Sequence, residues 1–281
     1  MTKRKRIKLT RNIIIAAAVT AAVIICSVIY VSWDRARLLA EQSTLISFNY
    51  PYPTNIYQWD KLTQNGAYLS YEDDNYTSLQ GIDVSVHQGE IDWKKVAAAG
   101  IDFAFIRTAY RGYGTGELHG DDMFEANMQG ANENGIDAGI YVFSQAVTIE
   151  EAAEEADYAI QSAKKYKIDL PIVFDMEGTI DGDVGRVMEI TAKERSQMAV
   201  TFMNRVKAAG YDTMYYGSTS LLESLFDLEY VQEYPLWVAE YDAPYPNYPY
   251  QFEFWQYSST SEVPGIEGNT TDMDIRFVKK S

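Results

Sequence analysis

Residues 170–178 read "LPIVFDMEG": an apolar run that closes on two acids, Asp175 and Glu177, separated by one residue. Side chains alternate along a strand, so Val173, Asp175 and Glu177 share one face, and Ile172, Phe174 and Met176 share the other. A run that is apolar on both faces suits a parallel strand covered on each side. Its acidic end then belongs at the mouth of a parallel sheet, where barrel folds of this type gather their functional groups.

Outward from this stretch the chain repeats the same rhythm. Short β-rich runs occur at "GIDVSV" (81–86), "FAFIRTA" (103–109), "AGIYVF" (138–143), "TMYYGS" (213–218), "LWVAEY" (236–241), "FEFWQYS" (252–258) and "MDIRFV" (273–278). Helical patterns separate the earlier ones. "DWKKVAAAG" stops at Gly100, and "DDMFEANMQGANENG" stops at Gly135. The segments after Thr148 and Thr191 each open with a capping-box pattern, Thr148 with Glu151 and Thr191 with Glu194. "STSLLESLF" is a further short helix. Alternation of strand and helix predicts parallel strands with crossover helices. The expected fold is α/β: an irregular (β/α) barrel of about eight strands, with fewer helices toward the carboxyl end.

The first residues carry a different signal. Lys3, Arg4, Lys5, Arg6, Lys8 and Arg11 precede an uncharged stretch, Asn12 to Trp33, and no acid occurs before Asp34. About 20 apolar residues cross a bilayer, and a basic flank stays on the cytoplasmic side. The predicted organisation is a basic cytoplasmic tail over 1–11, a transmembrane anchor over 12–33, a stalk or linker over 34–80, and a barrel domain over 81–281 outside the membrane. The tyrosines of 34–80 suggest that part of the stalk packs on the domain. A cleaved signal peptide is the competing reading, but its apolar region is usually shorter.

Composition narrows the chemistry. With 281 residues and 47% hydrophobic content the chain can bury one sizeable core. A net charge of −16 and the lack of a basic, aromatic-interleaved patch argue against nucleic acid. One cysteine, Cys26, permits no intrachain disulfide, and His87 and His119 make no metal-ligand cluster. No metal and no cofactor is expected.

The D-x-E pair is weak by itself, since strand-end acids are commonly just solvated. Close carboxylates push each other's pKa apart, so one stays protonated near neutrality, which is what glycosidic cleavage requires. Asp83 ends the first barrel strand and Asp272 precedes the last. First and last strands are neighbours in a barrel, so these acids can meet beside the pair. Tyr141, Tyr216, Trp237, Tyr241, Trp255 and Tyr257 fall near strand ends, where flat rings suit pyranose faces, although aromatics more often fill cores. Arg107 and Gln256 are polar residues inside strand-like runs and need partners if buried. His87 is either a sugar contact or a turn residue.

Taken together, "GIDVSVHQGEIDWKKV", "GIDFAFIRTAYR", "FEANMQGANENGIDAGIYVFSQA", "LPIVFDMEG", "GYDTMYYGS", "LWVAEY", "FWQYSS" and "VPGIEGNTTDMDI" resemble the glycoside hydrolase family 25 lysozymes, which are N-acetylmuramidases. The resemblance covers Gly81 to about Phe277. It implies cleavage of the β-1,4 bond between N-acetylmuramic acid and N-acetylglucosamine in peptidoglycan. It assigns Glu177 as general acid/base, with Asp175, Asp83 and Asp272 as the accompanying acids and Tyr141, Tyr216 and Trp237 along the groove. Two departures stand out. "IRTAYRG" replaces a common Lys-Ala-Thr-Glu-Gly around Arg107, and Asp274 stands where Asn is common, which adds an acid near the site. No wall-binding repeat is recognisable after the barrel, and the anchor is expected to confine the protein near the wall instead.

Asp175 serves either as a covalent nucleophile or as the group that steers the substrate's 2-acetamido group. Two other classes compete: a wall-glycan binding module that does not cut, and a metal-dependent hydrolase. The retained D-x-E disfavours the first, and the missing histidine ligands disfavour the second.

Overall fold

The computed structural model describes residues 51–180, 183–220, 222–268 and 270–280. The predicted cytoplasmic tail and anchor, and Cys26 with them, lie outside these residues. Among the described residues no helix is long and apolar enough to cross a membrane.

Eight strands close into a barrel: β1 Tyr76–Val84, β2 Phe103–Arg111, β3 Asp137–Ser144, β4 Ile172–Met176, β5 Thr213–Ser218, β6 Leu236–Ala239, β7 Phe254–Ser261 and β8 Thr271–Lys279. The order runs β1-β8-β7-β6-β5-β4-β3-β2, and pairing of β1 with β2 completes the ring. Helices α1 Trp93–Ala98, α2 Phe124–Glu133, α3 Ile149–Ala163 and α4 Ala192–Ala208 are the crossovers between early strands, and α5 Leu222–Leu225 and α6 Leu228–Val231 are short pieces after β5. Gly100, Gly135 and Gly210 end three of these helices with φ of 88°, 72° and 90°.

One capping box forms as expected and one forms by half. Thr191 accepts from Glu194 N, and the Glu194 carboxylate returns the bond to Thr191 N. Thr148 accepts from Glu151 N, but the Glu151 carboxylate instead takes Val147 N and Arg186. The cation diverts that carboxylate from its own cap.

The residues of β4 show why the fold closes here. All five are buried. Phe174 faces outward onto Phe202 of α4, ring to ring at 5.2 Å. Val173 faces inward and joins Phe103, Phe105, Met214, Trp237 and Phe254 in the barrel interior. Each such side chain contributes roughly 1.5–3 kcal/mol on burial. The filling needs gaps in its neighbours: a Cβ on Gly81 would lie 2.2 Å from the Phe103 ring, and one on Gly139 2.5 Å from Phe105. The interior is therefore packed below and open only at the carboxyl ends of the strands.

The structure departs from the expected parallel pattern at β8, which runs antiparallel to both β7 and β1. The connection from β7 holds Pro264, Gly265 and Gly268 and no helix, so the chain turns back directly instead of crossing over. The start of β8, not its end, thus lies at the mouth, and Asp272 comes to face Asp83 in register.

The boundary expected at Gly81 also moves. β1 begins at Tyr76, and residues from 51 onward fold with the barrel rather than forming a stalk. A hairpin pairs Leu62–Asn65 with Tyr68–Tyr71. Tyr57 stacks on Phe277 at 4.1 Å and donates to Phe252 O at 2.5 Å, and Trp59 stacks on Tyr245 at 5.2 Å. Ring contacts from the aromatics that punctuate this segment hold it on the barrel while most of its residues stay exposed or half-buried, and these contacts outweigh the turn-forming Pro and Asn between them.

Candidate active site

The open end of the barrel is a cavity of about 730 Å³. Its lining includes the four candidate acids Glu177, Asp175, Asp83 and Asp272, the aromatics Tyr141, Tyr216 and Trp237, and the strand residues Arg107 and Gln256. Tyr241 and His87 also line it. Trp255 and Tyr257 do not. Trp255 is fully buried and donates to Glu240 O, while the Tyr257 hydroxyl donates to Ala67 O, so for these two the core reading holds.

Strand register brings the acids together. Asp175 is the last inward residue of β4, level with Phe143 on β3 and Tyr216 on β5. Glu177 follows just past the strand, where the ladder no longer engages its carbonyl. Gln145, fully buried beyond β3, takes over and donates from Nε2 to that carbonyl at 2.7 Å. Sequence reasoning missed Gln145, because a glutamine after a strand carries no motif.

Gln256 on β7 is the hub of the opposite wall. Its Nε2 donates to Asp83 Oδ2 at 2.6 Å and Asp272 Oδ2 at 3.3 Å. Its Oε1 accepts from Tyr216 at 2.8 Å and Tyr241 at 2.7 Å. Both ends of the amide are committed, so Gln256 fixes the acids and tyrosines relative to each other. Arg107 is held by Asp121, Nε to Oδ2 at 2.8 Å, with its guanidinium 5.3 Å from the Tyr110 ring centre. Asp121 also accepts from Val86 N and Met123 N, tying the turn after β1 to the end of β2. In sequence it reads only as a helix-start acid, which conceals the second role.

The site is acidic and its carboxyl groups are largely buried. Burial, then the Asp272 charge, pushes Glu177 up to about 7. Burial pushes Asp272 up to about 6. Asp175 is raised well above the usual carboxylate range, by burial first and by Glu177 next, while the Arg107 charge pulls it back. Burial also raises Asp83, with Asp272 and Asp274 adding to it. One oxygen of Asp175, Oδ1, is buried with no hydrogen-bond partner. Asp274, expected as an added charge near the site, has no exposed surface at all and lies behind Trp237, whose indole N–H it accepts at 2.9 Å. Among the described residues no His/Cys/Asp/Glu group is arranged to hold a metal ion. The arrangement offers one carboxyl poised to give a proton near neutrality, a second carboxyl beside it, and aromatic walls.

The family described as "Glycosyl hydrolases family 25" matches residues 82–266. Lysozyme M1 of Streptomyces globisporus is 31% identical over 202 residues, covering 69% of this chain and 66% of that protein. The crystal structure of the bacterial lysozyme from Streptomyces coelicolor is 30% identical, with a TM-score of 0.57 over 70% of this chain and 90% of that one. The modular autolysin LytC of Streptococcus pneumoniae, solved in complex with a synthetic peptidoglycan ligand, shares the fold at 24% identity and a TM-score of 0.63, covering 77% of this chain and 52% of LytC. The chain thus spans about two thirds of the length of lysozyme M1 and about half that of LytC.

Proposed function

Because the chain belongs to glycosyl hydrolase family 25, we propose that it is a peptidoglycan hydrolase that cleaves the β-1,4 bond between N-acetylmuramic acid and N-acetylglucosamine. The observation that carries this reading is Glu177, at the cleft end of β4 with a value of about 7 and a second carboxyl two residues before it. Glu177 gives its proton to the glycosidic oxygen and then activates the water that completes hydrolysis.

Asp175 supports the charge that develops at the anomeric carbon, and the reaction retains configuration by substrate assistance. Asp175 lines the cleft, so its carboxylate is in reach of the bound sugar. The N–H of the substrate's 2-acetamido group donates to it. A hydrogen bond to the charged form favours ionisation, so the substrate itself moves Asp175 to its anion while Glu177 keeps the proton. Tyr141, Tyr216 and Trp237 give the sugar rings flat apolar surface.

Mass spectrometry of muropeptides released from purified walls tests the reading. Fragments ending in reducing N-acetylmuramic acid are expected. Fragments ending in reducing N-acetylglucosamine, or binding with no release, would refute it. Digestion should be fastest below neutral pH. Above about 7 it should fall roughly tenfold per pH unit as Glu177 loses its proton. A profile that stays level from pH 6 to pH 9, roughly the range over which this acid ionises, would remove Glu177 as the acid.

The location is proposed from the sequence: an uncleaved anchor at Asn12 to Trp33 with the barrel outside the membrane, facing the wall. Protease added to intact, wall-stripped cells should remove the barrel from the cell-bound fraction. A protected barrel would reverse the orientation, and a barrel released whole into the medium before protease would mean that the anchor is cut.

A further inference from the structure

Behind the aromatic wall of the cleft two carboxyl groups meet that the reaction does not require to meet. Asp274 on β8 is fully buried. Its Oδ1 accepts from Trp237 Nε1 at 2.9 Å, and its Oδ2 is buried with no donor among the conventional ones. On its remaining side stands Asp83: the antiparallel pairing sets Asp272 opposite Asp83 and Asp274 opposite Gly81, so Asp83 and Asp274 lie diagonally on one face of the sheet, and the nearness of Asp83 acts to lower Asp274. Asp83 in turn accepts from Gln256 Nε2 at 2.6 Å. Two carboxylates cannot hydrogen-bond to each other without a proton between them, because each ionised group only accepts.

We propose that Asp83 and Asp274 share one proton across a carboxyl–carboxyl hydrogen bond and present a single negative charge to the cleft, with Asp274 as a positioning residue for both Asp83 and Trp237. The electrostatic surroundings favour this. The titratable groups around the pair are Asp272 on β8, Asp175 on β4, Tyr141 on β3, Tyr241 after β6 and Tyr257 on β7. None of them is a cation. The positive charge of Arg107 bears on Asp175 and Tyr141 instead. A second full charge on the pair would thus be buried with no cation beside it, and burial, then Asp272, push Asp274 well above the ordinary carboxylate range against the lowering pull of the Trp237 bond.

The pair explains how an extra acid is accommodated. An asparagine in place of Asp274 can donate to Asp83 and accept from Trp237 while leaving Asp83 ionised. An aspartate does the same when it carries the shared proton. Both arrangements leave one negative charge on Asp83 and its partner, so the neighbouring acids see the same field. The proton count stands independently of the hydrolase reading; only its consequence for turnover rests on that reading.

The test counts protons. The full chain in nonionic detergent is unfolded with urea at closely spaced pH values around pH 8, a unit or so above Glu177 and Asp272. The slope of the unfolding free energy against pH gives the protons taken up on folding. An unfolded aspartate holds essentially none at this pH, so each proton kept by the folded pair appears in full. Asp274→Asn should lower the uptake by about one proton, Asp83→Asn should do the same, and the double variant should lose that same single proton. A loss of about two in the double variant would mean that each carboxyl holds its own proton, and no loss in any variant would mean that both are ionised; either result overturns the proposal. If Asp274→Asn fails to fold, the infrared difference between wild type and Asp83→Asn at pH 8 decides. A deuterium-sensitive carboxylic C=O band lost with Asp83 is expected, and its absence overturns the proposal.

Discussion

Replacing Glu177 by glutamine should lower wall digestion by ~10²–10⁴-fold, the usual contribution of a general acid/base. The substitution keeps the size of the side chain and its hydrogen-bonding capacity but removes the proton. Glycan binding should persist, because the aromatic wall and the Gln256 hub are untouched. The fold should also hold. Gln145 bonds the backbone carbonyl of residue 177, not its side chain. The sign of the stability change follows from the raised value. A carboxyl pushed up to about 7 is costly to ionise in the folded chain, so wild type loses stability as pH rises from the ordinary carboxylate range toward 7. The glutamine variant escapes that loss and should be no less stable than wild type at pH 8, and closest to it near pH 4, roughly the ordinary glutamate value. Initial rates on purified walls, sedimentation with walls, and thermal melts at the two pH values check these three statements. Full activity in Glu177→Gln would mean that the acids ending β4 do not perform the chemistry.

Much of the site was legible because it rests on period and order. The alternation in "PIVFDMEG" put Val173 and Asp175 on the inner face, and strand order made neighbours of Asp83 and Asp272. What sequence could not supply was strand direction. An apolar pattern reads the same both ways, and only the helix-free connection after β7 signals that β8 turns back. That reversal delivers Asp272 from the start of its strand. Residues 51–80 hide their packing for a related reason. Pro and Asn mark local turns, whereas the stacking of Tyr57 on Phe277 is a contact across the whole chain. Asp121 shows the same limit. Its local bond to Met123 N is visible as a helix start, but its bond to Arg107 depends on how β2 meets the segment that follows it. Polar residues in strands, such as Gln256, announce that they need partners. Which partners they find is fixed by register, and here they are two acids and two tyrosines from other elements.

Asp175→Asn should separate the two retaining routes. If Asp175 attacks the anomeric carbon, an amide cannot replace it, and activity should be nearly abolished on every substrate. If Asp175 instead orients the acetamide, the substituted amide can still accept its N–H, and the loss should be partial, on the order of 10²-fold, because a neutral amide supports the developing positive charge poorly. The reason to expect the second result is that Asp175 lines the cleft beside Glu177, where the substrate's acetamide can donate to its carboxylate. Two further readouts sharpen the choice. A thiazoline mimic of the cyclised acetamide should bind wild type tightly and the asparagine variant weakly. The alkaline limb of kcat should also move. A neighbouring negative charge raises the pKa of an acid, so removing the Asp175 anion from the substrate complex lets Glu177 lose its proton at lower pH. The limb should therefore shift toward acid in the variant. An unmoved limb would mean that Asp175 is neutral when substrate is bound and takes no part in stabilising charge. Trapping of a glycosyl ester on Asp175 would exclude substrate assistance outright.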